Sequence, residues 1–196
     1  MAISIKDVSF AYGEKQILSH FTLHVRSGER LWISAPSGFG KTTLLRLICG
    51  LERPAAGEIE IAEEAQISAV FQEDRLLPWL TVADNVALVL KDKPKAEKEQ
   101  LVKDVLAAVG LEDEGSVLPA KLSGGMARRV AIARALAAGG NILILDEPFV
   151  GLDDAVKQRV AGYLSETFAG HTIIISTHDP AEAQLLGAER VDIAAR

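Results

Sequence analysis

A glycine-rich run, Ala35-Pro36-Ser37-Gly38-Phe39-Gly40-Lys41-Thr42-Thr43, separates a strand-like stretch, Leu31-Trp32-Ile33-Ser34, from a helix-like one, Leu44-Leu45-Arg46-Leu47-Ile48-Cys49. A glycine turn between strand and helix points successive backbone N–H groups at one spot, where the positive end of the helix dipole also favours an anion. That spot is a phosphate cradle. Gly38 and Gly40 let the main chain approach the phosphates, Lys41 reaches the outer ones, and the Thr42 hydroxyl is placed to ligate magnesium. Pro36, Ser37, Gly38, Phe39, Gly40, Lys41, Thr42 and Thr43 are therefore the candidate phosphate site, with a nucleoside triphosphate as candidate ligand. Taken alone, the run also fits a Gly-Ser turn before a core helix. Ala35 stands where the strict pattern begins with glycine, so the first turn must close with ordinary dihedrals or carry strain. Phe39 is bulky for the loop and is expected to point outward, because main-chain amides make the phosphate contacts there.

A chain of 196 residues fits one domain, with or without an inserted subdomain. Its net charge of −6 supplies no global basic field, so no nucleic-acid partner is expected. The lone Cys49 cannot form an internal disulfide, and on the helix after the loop it reads as a small buried apolar residue, in keeping with a reducing compartment. The N-terminus alternates like a strand, and no apolar run is long enough to cross a bilayer. Action at a membrane would have to go through a partner. Little chain follows Val191-Asp192-Ile193, so no separate C-terminal regulatory domain is expected.

Period-2 patterning predicts strands at Ile3–Ile5, Val8–Phe10 and Ile17–Val25, with a turn at Gly13-Glu14. A helix follows from Lys41 to Cys49, stopped by Gly50, and strands are expected at Glu58–Ile61 and Ile67–Phe71. From Leu76 to Lys121 the chain becomes helical and charged. Thr81 with Asp84 resembles a capping box ahead of Val82–Leu90, and Ala96–Val109 repeats apolar residues at helical spacing before Gly110. We read residues 76–121 as an inserted helical subdomain, with 1–75 and 122–196 forming the core. A helix at Gly124–Ala138, an apolar strand at Ile142–Leu145, a helix near Ala155–Phe168 and a strand at Thr172–Ser176 complete the pattern. Continuous apolar strands separated by helices define an α/β class with a mainly parallel sheet covered on both faces, preceded by the N-terminal β segment.

The strand Ile142-Leu143-Ile144-Leu145 ends in Asp146-Glu147. A buried strand ending in two acids delivers carboxylates to the carboxyl edge of a parallel sheet, where ligands of open α/β sheets bind. Asp146 is the candidate magnesium ligand, and Glu147 is placed to polarise an attacking water. Ser123 precedes Gly124 and Gly125 at the start of a helix, which makes a second anion-facing helix N-terminus.

Taken in order, these motifs resemble those of the ATP-binding subunits of ABC transporters. The likeness spans nearly the whole chain: the loop up to Thr42, Gln72 in Val70-Phe71-Gln72-Glu73, Leu122-Ser123-Gly124-Gly125-Met126, Ile142 to Glu147, Gly151-Leu152-Asp153, and His178 in Ser176-Thr177-His178-Asp179. The LSGG run before a basic helix is the most specific of them. The resemblance implies a P-loop NTPase core hydrolysing ATP with magnesium. It also implies two subunits paired head to tail, so that Ser123, Gly124 and Gly125 of one close over the ATP held by the other, with Asp153 in the loop nearby. By the same likeness Lys41, Glu147, His178 and Gln72 serve catalysis, Gln72 also sensing the metal, and Tyr12 stacks on adenine. On sequence alone the alternative for the Tyr12 ring is turn or core packing.

The segment from Val70 to Val82 is similar to that of importers of nitrate, sulfonates and taurine. The resemblance therefore implies integral membrane permease subunits as partners, a solute-binding protein acting indirectly, and a position on the cytoplasmic face of the membrane. Its rivals are a soluble ATPase of the same type acting on a cytosolic or nucleic-acid partner, and a nucleotide-binding module with little hydrolysis. The second is raised by Ala35 and by Met126, which replaces the usual glutamine. Gly151 also stands where serine or alanine is usual. The apolar run Leu76-Leu77-Pro78-Trp79-Leu80 is either core between subdomains or a docking surface for a permease helix.

Overall fold

The computed structural model describes residues 1–193. The chain divides into two compact units. The first comprises Met1–Ala69, Asn141–Asp146 and the chain from Gly170 on, and the second Val70–Gly140 and Glu147–Ala169.

In the first unit, strands β1 (Ile3–Tyr12), β2 (Lys15–Val25) and β4 (Ala56–Ile61) form an antiparallel sheet with β1 in the middle. The separate strands expected at Ile3–Ile5 and Val8–Phe10 are one long strand. Register shifts interrupt its pairing around Asp7. That residue has φ 51°, and its main-chain N–H leaves the ladder to donate to the Thr22 hydroxyl oxygen at 3.0 Å. A bulge of this kind hides a strand's continuity from a period-2 reading.

The remaining strands form the second sheet, in the order β5 (Ile67–Val70), β6 (Ile142–Asp146), β7 (Thr172–Ser176), β3 (Arg30–Ser34) and β8 (Glu189–Asp192). The pairs β6/β7, β7/β3 and β3/β8 are parallel. Every residue of β6 and β7 is buried, as the uninterrupted apolar runs predict. Helix α1 (Lys41–Ile48) packs on β4 and β6. Its Cys49 cap and the left-handed Gly50 (φ 68°) end it where expected. A short helix, Pro180–Leu185, follows β7.

The second unit is helical: α2 (Val82–Ala87), α3 (Lys95–Ala108), α4 (Gly124–Ala138) and α5 (Asp154–Thr167). Helices α2 and α3 pack on α4, and α3 also meets α5. Val82, Val86, Val105, Val109, Val130 and Leu164 are almost fully enclosed there. Thr81 caps α2 as expected, its Oγ1 accepting from the Asp84 N–H at 3.1 Å. The return arm differs, because the Thr81 hydroxyl itself donates to Asp84 Oδ2 at 2.7 Å; an aspartate is one methylene short of the glutamate that usually reaches back. The helix stops at Ala87 rather than Leu90, where the Leu90 N–H turns back three residues to the Ala87 carbonyl.

Candidate nucleotide site

In the first unit, β3 ends at Ser34 and α1 starts at Lys41, with Gly40 (φ 88°) as its N-cap and no side chain capping the helix. Gly38 also lies in the left-handed region (φ 81°). The loop needs glycine at these two turns, and Gly40 doubly so: a Cβ there would meet Ile17 of β2 at 2.6 Å. Ala35 is outside the positive-φ set, so the first turn closes with ordinary dihedrals and alanine fits it without strain. Phe39 is 53% exposed, as expected of a side chain that points outward, and Pro36 and Ser37 beside it are exposed too.

Lys41 is buried. Its Nζ donates to the Ala35 carbonyl at 2.9 Å and lies 3.4 Å from His178 Nε2. The fold thus brings together two residues far apart in sequence, because β3 and β7 run side by side and both deliver their C-terminal loops to one edge. The indole N–H of Trp32 donates to the Thr177 carbonyl at 3.0 Å, and the Thr177 hydroxyl donates to buried Glu182 at 2.5 Å; these bonds fix the turn that carries His178. Asp146 sits opposite Ser176 at the ends of β6 and β7 and accepts a hydrogen bond from the Ser176 hydroxyl. Thr42 and Thr43 occupy the first turn of α1. Tyr12 ends β1 with its ring 45% exposed, Phe10 edge-on to it at 4.9 Å, and its hydroxyl donating to Glu52 at 3.1 Å. The ring is anchored at two places yet keeps exposed surface.

The second unit holds Gln72, Ser123, Gly124, Gly125, Glu147 and Asp153. Ser123 is the N-cap of α4, and its Oγ accepts from the Met126 N–H at 3.2 Å. Gly125 is required by space: a Cβ there would stand 3.0 Å from the Gly151 carbonyl oxygen. Gly151 takes φ 76°, a conformation in which glycine is at ease where serine or alanine would be strained. Asp153 caps α5, accepting from the Val156 N–H at 2.9 Å. A cavity of about 500 Å³ is lined by Gln72, Asp74, Gly124, Gly125, Arg128 and Glu147 among others, so the glutamine, the signature glycines and the glutamate expected from sequence share one hollow.

Three organising residues carry little signal in the sequence. Arg128 is 5% exposed and reaches main-chain carbonyls around that hollow; its only sequence signal is a helical spacing of three and four to the apolar Ala131 and Ile132. Asn85 is fully buried. Its amide nitrogen reaches the carbonyls of Leu77, Leu80 and Thr81 at 3.0–3.1 Å, and its Oδ1 accepts from the Leu77 N–H at 2.8 Å. Trp32 is the third. Asn85 shapes the loop that presents Trp79, 71% exposed, so at this residue the apolar run is surface rather than core.

The ABC transporter family profile matches residues 18–150. The aliphatic sulfonates import ATP-binding protein SsuB 2 of Pseudomonas fluorescens is 39% identical over 198 residues, covering 96% of this chain and 72% of its own length. The sulfate/thiosulfate import ATP-binding protein CysA 1 of Agrobacterium fabrum is 39% identical over 208 residues, covering 97% of this chain and 60% of its own length. Among solved structures, the dimeric post-hydrolysis state of the ATP-binding cassette MJ0796 bound to ADP and Pi superposes with a TM-score of 0.87 at 29% identity, over 97% of this chain and 93% of that one. The chain belongs to the ABC transporter family. It is an ATP-binding cassette and an ATPase of that family, with relatives of the sulfonate and sulfate importer type, in keeping with the expectation from segment 70–82.

Proposed function

We propose that the chain powers import of a small oxyanion, of the sulfonate or sulfate class, through separate membrane permease subunits, working as a head-to-tail pair of cassettes on the cytoplasmic face. A solute-binding protein would deliver the cargo without touching this chain. The observation that carries the reading is the juxtaposition of Lys41 and His178 at 3.4 Å beside a glycine loop that no side chain caps, together with the import ATP-binding proteins that the chain resembles along almost its full length. Among the described residues no helix is long and apolar enough to cross a membrane.

ATP is held by the loop amides from Ser37 to Thr43 and by Lys41, Pro36 leading into the loop without an N–H to offer, with adenine against Tyr12. The residues also fit magnesium. Thr42 would offer a hydroxyl and Asp146 a carboxylate already oriented by Ser176, a hard-oxygen set of the kind that leaves remaining positions to water and phosphate. When bound, the ion neutralises charge on the phosphates. Glu147 accepts a proton from the attacking water, His178 contacts the terminal phosphate, and Lys41 stabilises charge on the transferring group, so that catalysis is mostly positioning and electrostatics. Ser123, Gly124 and Gly125 close on the nucleotide of the paired cassette.

Phosphate release and light scattering test this together. Wild type should release phosphate from Mg-ATP, whereas Glu147→Gln should bind ATP, release none and accumulate as an ATP-bound dimer, because the amide keeps the shape but cannot take the proton. Steady hydrolysis by that variant removes Glu147 from the role.

A further inference from the structure

Glu147 has φ 50°, a left-handed backbone that a non-glycine residue keeps only when its surroundings hold it there. Arg128 is what holds it. From α4 its Nη2 donates to the Glu147 carbonyl at 2.8 Å and its Nε to the Pro148 carbonyl at 3.0 Å. The same guanidinium donates through Nη1 to the Phe71 carbonyl, next to Gln72, and meets Asp74 at 3.2 Å. Arg134, further along the helix, donates to the carbonyls of Asp74 and Arg75 at 2.7 and 3.1 Å. One rigid helix, beginning just after Ser123, therefore grips the segment that carries Gln72 and the strained peptide that carries Glu147.

We propose that Arg128 is a positioning residue for hydrolysis: its planar fork fixes the Glu147 backbone, and with it the direction of the carboxylate, and ties that backbone to the Gln72 segment and to the signature helix. The proposal rests on the reading of Glu147 as the group that takes the proton. A guanidinium is needed because three carbonyls and a carboxylate are reached at once by donors in a fixed plane; an ammonium keeps the charge but offers a single point. The arrangement also gives the signature a route to the hydrolytic centre of its own chain. A shift of α4 when Ser123 and its glycines meet the paired cassette's nucleotide moves Arg128, and hence Glu147.

The experiment compares Arg128→Lys, Arg128→Met and Glu147→Gln in the full chain. Both Arg128 variants should lose kcat, by roughly a hundredfold for methionine given what small misplacements cost near a reacting centre, with a smaller loss for lysine. KM for ATP should stay near the wild-type value, and light scattering should show the lysine variant accumulating the ATP-bound dimer, since closure outlasts slow chemistry. Lysine preserves the buried charge beside Asp74, so it carries the test if the methionine variant does not fold. Wild-type kcat in the folded Arg128 variants beside an inactive Glu147→Gln overturns the role of Arg128, as does a kcat loss matched by an equal rise in KM without dimer accumulation. An active Glu147→Gln instead overturns the reading of Glu147 beneath it.

Discussion

Lys41 Nζ stands 3.4 Å from His178 Nε2 while donating to the Ala35 carbonyl at 2.9 Å. The loop lysine and the histidine after β7 are thus neighbours before any phosphate is considered, and a neutral main-chain oxygen steadies the lysine. A phosphate oxygen is a charged acceptor and makes the stronger bond, so an ammonium that took phosphate here would give up only a weaker contact.

Lys41→Ala should therefore weaken Mg-ATP binding by roughly 1.5–3 kcal/mol, the usual worth of hydrogen bonds to charged groups, and turnover should fall with it. Titration calorimetry measures this directly. Unchanged affinity would mean that the loop is not the triphosphate site.

Trp79→Ala should leave folding almost untouched, within about 0.5 kcal/mol as for most surface changes, because the ring is 71% exposed. Hydrolysis by the isolated cassette should stay near wild type, while the reconstituted importer should move less solute per ATP. Equal coupling ratios for mutant and wild type would show that the permease docks elsewhere.

Two glycines should respond in opposite directions to alanine. Gly57 has φ 80°, and a Cβ there would lie 2.3 Å from the Asp7 carbonyl oxygen, so Gly57→Ala should destabilise by roughly 2–4 kcal/mol through backbone strain and overlap. Gly162 lies within α5, with nothing within 4 Å of the place an alanine methyl would take. There alanine should stabilise by about 0.5–1 kcal/mol. Denaturant midpoints of the pair decide it: wild-type stability in Gly57→Ala would contradict the packing described for Gly57, and a loss in Gly162→Ala the open space at Gly162.

Cys49 is half-buried rather than enclosed, yet burial still pushes its thiol from 9.0 up to about 12, because a thiolate is poorly solvated away from water. The native state holds this proton more tightly than the unfolded chain does. Its contribution to stability is complete below pH 9.0 and is lost as pH climbs towards about 12. Native protein should react slowly with thiol reagents at neutral pH and rapidly once unfolded, and Cys49→Ala should flatten the alkaline fall in stability. Rapid labelling of native protein would contradict this.

The glycine turn before α1 and the helix starts are legible in the sequence because their chemistry is local: Gly40 turns the chain, Thr81 and Ser123 cap the helices that follow, and β6 and β7 are buried from end to end. Strand β8 is not legible. Glu189-Arg190-Val191-Asp192 carries one apolar residue, and only pairing with β3 makes it a strand. Arg128 is hidden for a related reason. Beside Arg129 in a basic helix it looks like a solvated charge, and its enclosure depends on Phe71, Asp74, Glu147 and Pro148 arriving from distant parts of the chain.

The chain has two tryptophans, and they occupy unlike settings. Trp79 stands largely in solvent, whereas Trp32 gives its indole N–H to the carbonyl just before His178 and lies under the Arg190 guanidinium at 5.4 Å. Their emission should therefore differ in wavelength, the blue-shifted component belonging to Trp32. A Trp79→Phe protein would carry a single tryptophan, bonded to the turn that bears the histidine, and with excitation selective for indole the movements of that turn during the ATP cycle could be followed optically in real time without any added label.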